Sequence, residues 1–272
     1  MSIFEAIVLG IVQGLTEFLP VSSTAHLRIV PAFAGWEDPG AAFTAVIQLG
    51  TTIAVLLYFR RDLWRIALAW LDSVRTRGQR RDLDARLGWF IVLGTIPIGI
   101  FGLLFNNAIE TKARDLYLIG TALIVFGFVM LAADRFAKQS KDLEALSTRE
   151  GLFVGLAQAL ALIPGVSRSG ATISAGLLAG LNREAAARFS FLLSTPAIVL
   201  SAAFEMRKFI GHDAGAGAPE IVVAVICAFV VGYASIAFLL RYVARHTLSV
   251  FVAYRVGLGA LVIALTAAGT IS

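Results

Sequence analysis

Gly10-Ile11-Val12-Gln13-Gly14-Leu15-Thr16-Glu17-Phe18-Leu19-Pro20-Val21-Ser22-Ser23-Thr24 reads as an apolar half-helix that carries a carboxylate, stops at a proline and restarts in a hydroxyl-rich turn. About 145 positions later the chain repeats the pattern as Gly155-Leu156-Ala157-Gln158, then Pro164-Gly165-Val166-Ser167-Arg168-Ser169-Gly170. Neither stretch suits an ordinary transmembrane helix. The helix before Pro20 has about 16 residues, roughly 24 Å at 1.5 Å per residue, and the one after it, to Val30, is shorter. Hydrocarbon is ~30 Å thick. Each segment therefore reads as a re-entrant hairpin that descends to mid-membrane and returns. Broken backbone at that depth is tolerated only inside protein or against a polar cavity. A proline-kinked ordinary helix is the simpler alternative.

Composition fixes the environment. The 272 residues are 58% hydrophobic and only 15% charged, with mean hydropathy +0.82, which marks an integral membrane protein. Runs at 42–59, 87–105, 116–134, 186–206, 219–241 and 249–270 are long enough to cross as helices. Period-2 strands are missing, which argues against a β-barrel. The single cysteine, Cys227, lies in an apolar run, so neither a disulfide framework nor a cysteine metal cluster is expected. The N-terminus lacks a basic leader and carries Glu5 and Glu17, unlike a cleavable signal. The net charge of +5 fits loop orientation better than a nucleic-acid partner.

Basic residues crowd the 60–86 loop (Arg60, Arg61, Arg65, Arg75, Arg77, Arg80, Arg81, Arg86) and the 135–149 loop (Arg135, Lys138, Lys141, Arg149). Both are expected in the cytoplasm. The 106–115 and 207–218 loops hold only Lys112, Arg114, Arg207 and Lys208 and are expected outside. The balance requires the first hairpin to open outward, the second inward, and both termini to lie outside. Ala41-Ala42-Phe43-Thr44 also resembles Ala186-Ala187-Arg188-Phe189-Ser190. The expected fold is an all-α polytopic membrane protein with an inverted-topology repeat. It has six transmembrane helices plus two re-entrant helical hairpins, about ten helices in all. The first repeat spans 1–134, the cytoplasmic linker 135–149 and the inverted second repeat 150–272. In such architectures the site lies near the midplane where broken helices meet, so the tips around Ser23 and Ser167 should be neighbours.

After each proline a helix begins, and its free N–H groups and positive dipole end suit an anion, phosphate especially. Ser22, Ser23 and Thr24 add hydroxyls at one tip, and Ser167, Ser169 and Thr172 at the other. Arg168 supplies a planar donor fork that matches phosphate oxygens. Helix capping is the plain alternative for the hydroxyls. Glu17 is costly in hydrocarbon unless paired, and is a functional candidate by default. Gln13 lies one turn earlier on the same face. Beside hydroxyls, Glu17 suits either a divalent cation bridging phosphate oxygens, with Gln13, or a base for a nucleophile. A Glu17–Arg168 ion pair holding the tips together is the structural alternative. His26, three residues past Ser23, reads equally as a catalytic group or as a histidine bonded to backbone.

These residues resemble those of the undecaprenyl-diphosphate phosphatases of the bacitracin-resistance type. The matching features are Gln13 to Glu17, Phe18-Leu19-Pro20-Val21-Ser22-Ser23-Thr24 with His26, Ile47-Gln48-Leu49-Gly50, and Pro164 through Gly170. The resemblance extends over essentially the whole chain. It implies a hydrolase in the bacterial cytoplasmic (inner) membrane, open to the outer (periplasmic) face. It would release phosphate from undecaprenyl diphosphate and recycle the lipid carrier for cell-wall synthesis. The resemblance also implies a divalent cation, Mg or Ca. Ser23 would be nucleophile or phosphate ligand, Glu17 base or metal-linked carboxylate, and Arg168 the stabiliser of phosphate charge. Gln13 stands where many relatives carry Glu, and a neutral amide offers a metal only its carbonyl oxygen and cannot act as a second base. Expected partners are the polyprenyl diphosphate lipid and the membrane, with a homodimer as a further option and no nucleic acid. The same anion site would also serve a polyprenyl-phosphate flippase or a phosphate transporter. A structural or assembly subunit would leave both polar tips unexplained.

Other conspicuous residues read as structural. Arg255, near the start of the last helix, is expected to snorkel. Gly94, Gly99 and Gly102, and Gly170, Gly176 and Gly180, suggest close helix packing. Trp64, Trp70 and Trp89 read as interfacial anchors. Glu37 and Asp38 read as solvated turn residues.

Overall fold

The computed structural model describes residues 1–76, 82–105, 115–209 and 216–271, with Ala41 and residues 205–209 placed only as parts of helices. Eleven α-helices account for most of it: α1 Ile3–Phe18, α2 Ser23–Ala34, α3 Gly40–Tyr58, α4 Arg60–Arg75, α5 Leu83–Leu104, α6 Leu116–Phe136, α7 Thr148–Ala157, α8 Arg168–Leu178, α9 Arg183–Phe209, α10 Ala218–Val243 and α11 Ser249–Ala267. Short 3-10 turns occupy Leu143–Ala145 and Gln158–Leu162. Among the described residues there is no strand, only an isolated bridge between Lys141 and Leu181. Helices α5, α6, α9, α10 and α11 are long and apolar enough to cross a membrane. A sixth span is reached if α3 and α4, bent by 73° at Phe59, are taken as one.

Residues 60–75 form helix α4 rather than part of a loop. Leu63, Ile66, Trp70 and Ser73 recur at helical spacing, and Ile66 and Ser73 are buried by it. The charged residues occupy other faces, and counting them alone hid the helix. Arg77, Arg80 and Arg81, the 106–114 stretch with Lys112 and Arg114, and the side chains of Arg207 and Lys208 lie outside the described residues.

The broken segments have the expected lengths. Helix α1 has 16 residues and ends at Phe18, just before Pro20. Helix α2 runs past Val30 to Ala34, carrying Pro31 within it, and at 12 residues it is still short of a span. On the other side α7 tightens into the Gln158–Leu162 turn, and α8 has 11 residues. Details recur between the two. Ser2 and Glu5 form a capping box at the start of α1, as Ser147 and Glu150 do at α7. Ser22 and Ser167, the residues before α2 and α8, both have positive φ, 75° and 73°.

Packing crosses between the halves. Helix α1 lies along α10, α7 along α5, α3 against α9 and α10, and α6 along α11. Glycines allow these approaches. A Cβ at Gly10 would stand 2.4 Å from Ala224 O, at Gly14 2.8 Å from Gly232 N, and at Gly155 2.4 Å from Gly94 Cα. Gly99, expected to serve packing, faces open space, with nothing within 4 Å of an added Cβ. Asp134, buried at the end of α6, accepts from Arg183 Nε (2.5 Å) and from the backbone N–H of Leu248 (2.9 Å). It thereby ties the starts of α9 and α11 to α6. Trp70 and Trp89 meet edge to face, and Trp89 Nε1 donates to Ser73 Oγ. Trp64 is exposed.

Candidate functional site

Pro20 and Pro164 end their approach segments, and the chain re-enters helix through Ser22 and Ser167. This brings the two tips together. Ser169 Oγ, on the second tip, donates to the carbonyl of Leu19 on the first (3.1 Å). A cavity of about 660 Å³ opens beside the junction. Its polar wall is formed by Gln13, Glu17, Ser22, Ser23, Thr24, Ser167 and Arg168, together with Thr44 and Gln48 of α3 and Thr95 of α5. Its remaining wall, including Ile98, Gly99, Leu103, Leu200 and Phe204, is mostly apolar. The open space at Gly99 belongs to this cavity.

Glu17 is the hub. Its side chain is only 6% exposed. Arg168 pairs with Oε1, Ser23 Oγ donates to Oε2 at 2.6 Å, and Gln13 Nε2 reaches the same oxygen at 3.2 Å. A buried carboxylate needs such a set of donors, because its lost hydration must be replaced. The ion pair named as the structural alternative is therefore present, and it shares its carboxylate with the serine hydroxyl. Gln13 Nε2 also reaches Thr51 Oγ1 at 3.3 Å, whereas its Oε1 is buried without a hydrogen-bond partner.

The hydroxyls divide by role. Ser167 Oγ accepts from Gly170 N (3.2 Å) and so caps α8. Ser22 makes no cap to α2, and its Oγ lies 3.2 Å from Thr24 Oγ1. The first N–H groups of α2 therefore lack the side-chain partner that α8 has. Thr172 is buried away from the cavity, donating to Arg168 O (2.8 Å) beside Ser190 Oγ. Ser169 is taken up by the tip-to-tip bond.

His26 is not on the cavity wall. Its Nδ1 is 2.7 Å from Ser22 O, and since a carbonyl only accepts, Nδ1 carries the proton. Its Nε2 is 2.6 Å from the hydroxyl of Tyr254, whose ring stacks on the imidazole. Nδ1 holds the positive-φ turn at Ser22, and Nε2 ties α2 to Tyr254 of α11.

Arg255 does not snorkel. It is fully buried, and its guanidinium donates to Pro20 O (2.9 Å), Gly165 O (2.7 Å), Val166 O (3.0 Å) and Leu123 O (3.4 Å). The carbonyls freed by the two broken helices need donors, and the arginine fork supplies them to both tips at once. Gly165 leaves room for this turn, at φ 94° and with its added Cβ only 2.7 Å from Ile119 O. The sequence led to a structural role for Arg255 but placed it at the membrane surface, and gave no role to Tyr254. The available signal was an arginine inside an apolar run, which is costly unless it meets polar partners.

Among the described residues no group of three or more His, Cys, Asp or Glu is placed to hold a metal. The donors on offer are the carboxylate of Glu17 and the unpartnered amide oxygen of Gln13. Such hard oxygen ligands fit Mg²⁺ or Ca²⁺ only where water and phosphate oxygens complete the shell.

Similarity to known proteins extends over the full length of the chain. The chain is 55% identical to undecaprenyl-diphosphatase 2 of Frankia casuarinae, with 100% of this chain and 97% of the relative aligned. It is 54% identical to an undecaprenyl-diphosphatase of a Nocardioides species, with 98% of each covered. It is 51% identical to that of Thermobifida fusca, with 100% and 93% covered. The family described as bacitracin resistance protein BacA matches residues 6–261, and this chain belongs to that family.

Proposed function

We propose that this protein is an undecaprenyl-diphosphate phosphatase, releasing phosphate and returning undecaprenyl phosphate to cell-wall synthesis. One observation carries the reading. A buried carboxylate, Glu17, holds the hydroxyl of Ser23 at 2.6 Å and pairs with Arg168 at the mouth of an uncapped helix. Without substrate, Arg168 neutralises Glu17. An arriving terminal phosphate competes for the guanidinium and for the free N–H groups of α2. Glu17, released from the ion pair, is then the base for the Ser23 proton. Ser23 Oγ attacks the terminal phosphorus as the bond to the bridging oxygen breaks, and the lipid phosphate leaves. Water hydrolyses the phosphoserine in a second step. Arg168 and the α2 dipole stabilise charge on the equatorial oxygens. A divalent cation, Mg²⁺ or Ca²⁺, would be held by Glu17 and Gln13 Oε1 and would supply further neutralisation of phosphate charge. Ser22, Thr24 and Ser167 line the phosphate pocket, whereas Ser169, Thr172 and His26 position the tips.

The same reading includes the topology. Residues 1–134 and 150–272 are inverted repeats joined by the 135–149 linker, and the two hairpins enter from opposite faces. The paired capping boxes, the paired positive-φ serines and the exchange of partners, α1 with α10 and α7 with α5, support this. The active site opens to the outer face of the cytoplasmic membrane, and both termini lie outside.

Phosphate release from undecaprenyl diphosphate in detergent tests the reading, since transport has no meaning without a membrane. Ser23→Ala and Arg168→Ala should each lower turnover at least ~100-fold in folded protein. Near-native turnover in purified Ser23→Ala removes the nucleophile.

A further inference from the structure

Helix α4 has a face that the proposed reaction does not use. Trp64, Leu68, Leu71 and Val74 are all exposed, Trp64 by 69%, and they recur at i, i+4, i+7 and i+10. The helix therefore carries an apolar stripe that none of the described residues covers. Arg60, Arg61 and Arg75 are exposed along the same side. The acidic residues of α4 do not cancel them. Asp62 is drawn inward by Arg65 and by Arg188 of α9 (2.8 Å), leaving Asp72 as the exposed carboxylate of this helix. Arg65 is itself taken by Asp84 of α5 (2.5 Å).

Geometry says what meets this face. Helices α3 and α4 are long and apolar enough for a membrane span only when taken together, and α4 turns from α3 by 73°. With α3 crossing the bilayer, as in the topology proposed above, a helix turned from it by that angle lies nearer the bilayer surface than the bilayer normal. An exposed tryptophan among aliphatic side chains, flanked by arginines, has the chemistry of an interfacial helix on anionic lipid. Its opposite side is fixed to the protein by Ile66, by Trp70 against Gly88, and by Ser73 with Trp89.

We propose that α4 is a docking surface for anionic phospholipid headgroups, with Trp64, Leu68, Leu71 and Val74 inserted at the acyl boundary and Arg60, Arg61 and Arg75 on lipid phosphates. The full chain in nanodiscs of phosphatidylcholine, with or without phosphatidylglycerol, tests it. Phosphatidylglycerol should raise the unfolding temperature by several degrees, and added salt should reduce the gain. The triple variant Arg60→Gln, Arg61→Gln, Arg75→Gln should lose most of it. An equal gain in the triple variant, or none in the native chain, overturns the proposal. A second measurement needs no arginine variant. Lipids brominated near the carbonyl should quench a tryptophan signal that Trp64→Phe removes. Absence of that component means that Trp64 is covered by protein or stands in water, and also overturns it.

Discussion

Arg255 is the residue on which both tips depend, and its replacement has a calculable cost. Arg255→Met would strip donors from the carbonyls of Pro20, Gly165, Val166 and Leu123 in a setting that water does not reach. At ~1–3 kcal/mol for a buried group left unsatisfied, a loss of at least about 3 kcal/mol is expected. Arg255→Lys should recover only part, because an ammonium lacks the planar fork that spans both tips. Unfolding temperature in detergent measures this, and an unchanged value for Arg255→Met refutes the clamp. Gln13 gives a second prediction. Its unpartnered Oε1 is a neutral ligand, so Gln13→Glu should lower the Mg²⁺ or Ca²⁺ concentration needed for half-maximal phosphate release. If the requirement does not move, Gln13 does not serve the cation. At this scale the sequence spoke clearly where the chemistry was costly. Glu17 and Arg168 stood out because an apolar environment does not tolerate a charge without a partner, and the structure pairs them. Arg255 was misread because its four acceptors come from three distant stretches. Only the folded chain shows that two broken helices expose carbonyls at the same point. The serines were also ambiguous in sequence, and one side-chain hydrogen bond at Ser167, with no such cap at Ser22, separates a capped helix start from an uncapped one.

At the scale of elements, the helix crossings set the positions of both broken segments. Gly155→Val places a Cβ 2.4 Å from Gly94 Cα, where neither backbone can yield without moving α7 or α5. A destabilisation of roughly 1–3 kcal/mol follows from such overpacking, and since α7 leads into the second tip, activity should fall with it. Gly99→Ala is the control. It adds the same methyl group in the same membrane but into open space, and should leave the unfolding temperature unchanged. Equal damage from both would mean that the crossing does not discriminate. Lengths, breaks and apolar runs were legible because hydrocarbon thickness and proline leave few options. The helical nature of residues 60–75 was not, because its buried face is narrow and its charges suggested a loop. The glycines gave no sign of which ones touch a neighbour, since that depends on the partner helix.

For the molecule as a whole, the 135–149 stretch is held to the chain that follows it by charge as well as by backbone bonds. Lys141 pairs with Glu150 and bridges to the turn at Gly180 and Leu181. Lys141, and then the backbone N–H of Ser147, hold the Glu150 carboxyl down from its ordinary value of 4.5 to about 2. A depressed carboxyl contributes stability above its unfolded value and loses it as pH falls through the folded one. Stability should therefore decline from about pH 4.5 toward pH 2, and Glu150→Gln should flatten that part of the curve. A profile identical in the variant assigns the decline to other carboxyls. The clamp at Arg255 has a consequence in time. Both tips precede α11 in the chain, so a ribosome releases Glu17, Ser23 and Arg168 into the bilayer well before the residue that fastens them together. During synthesis the two tips therefore lack this clamp, and have only their direct bonds to each other, until the final helix arrives.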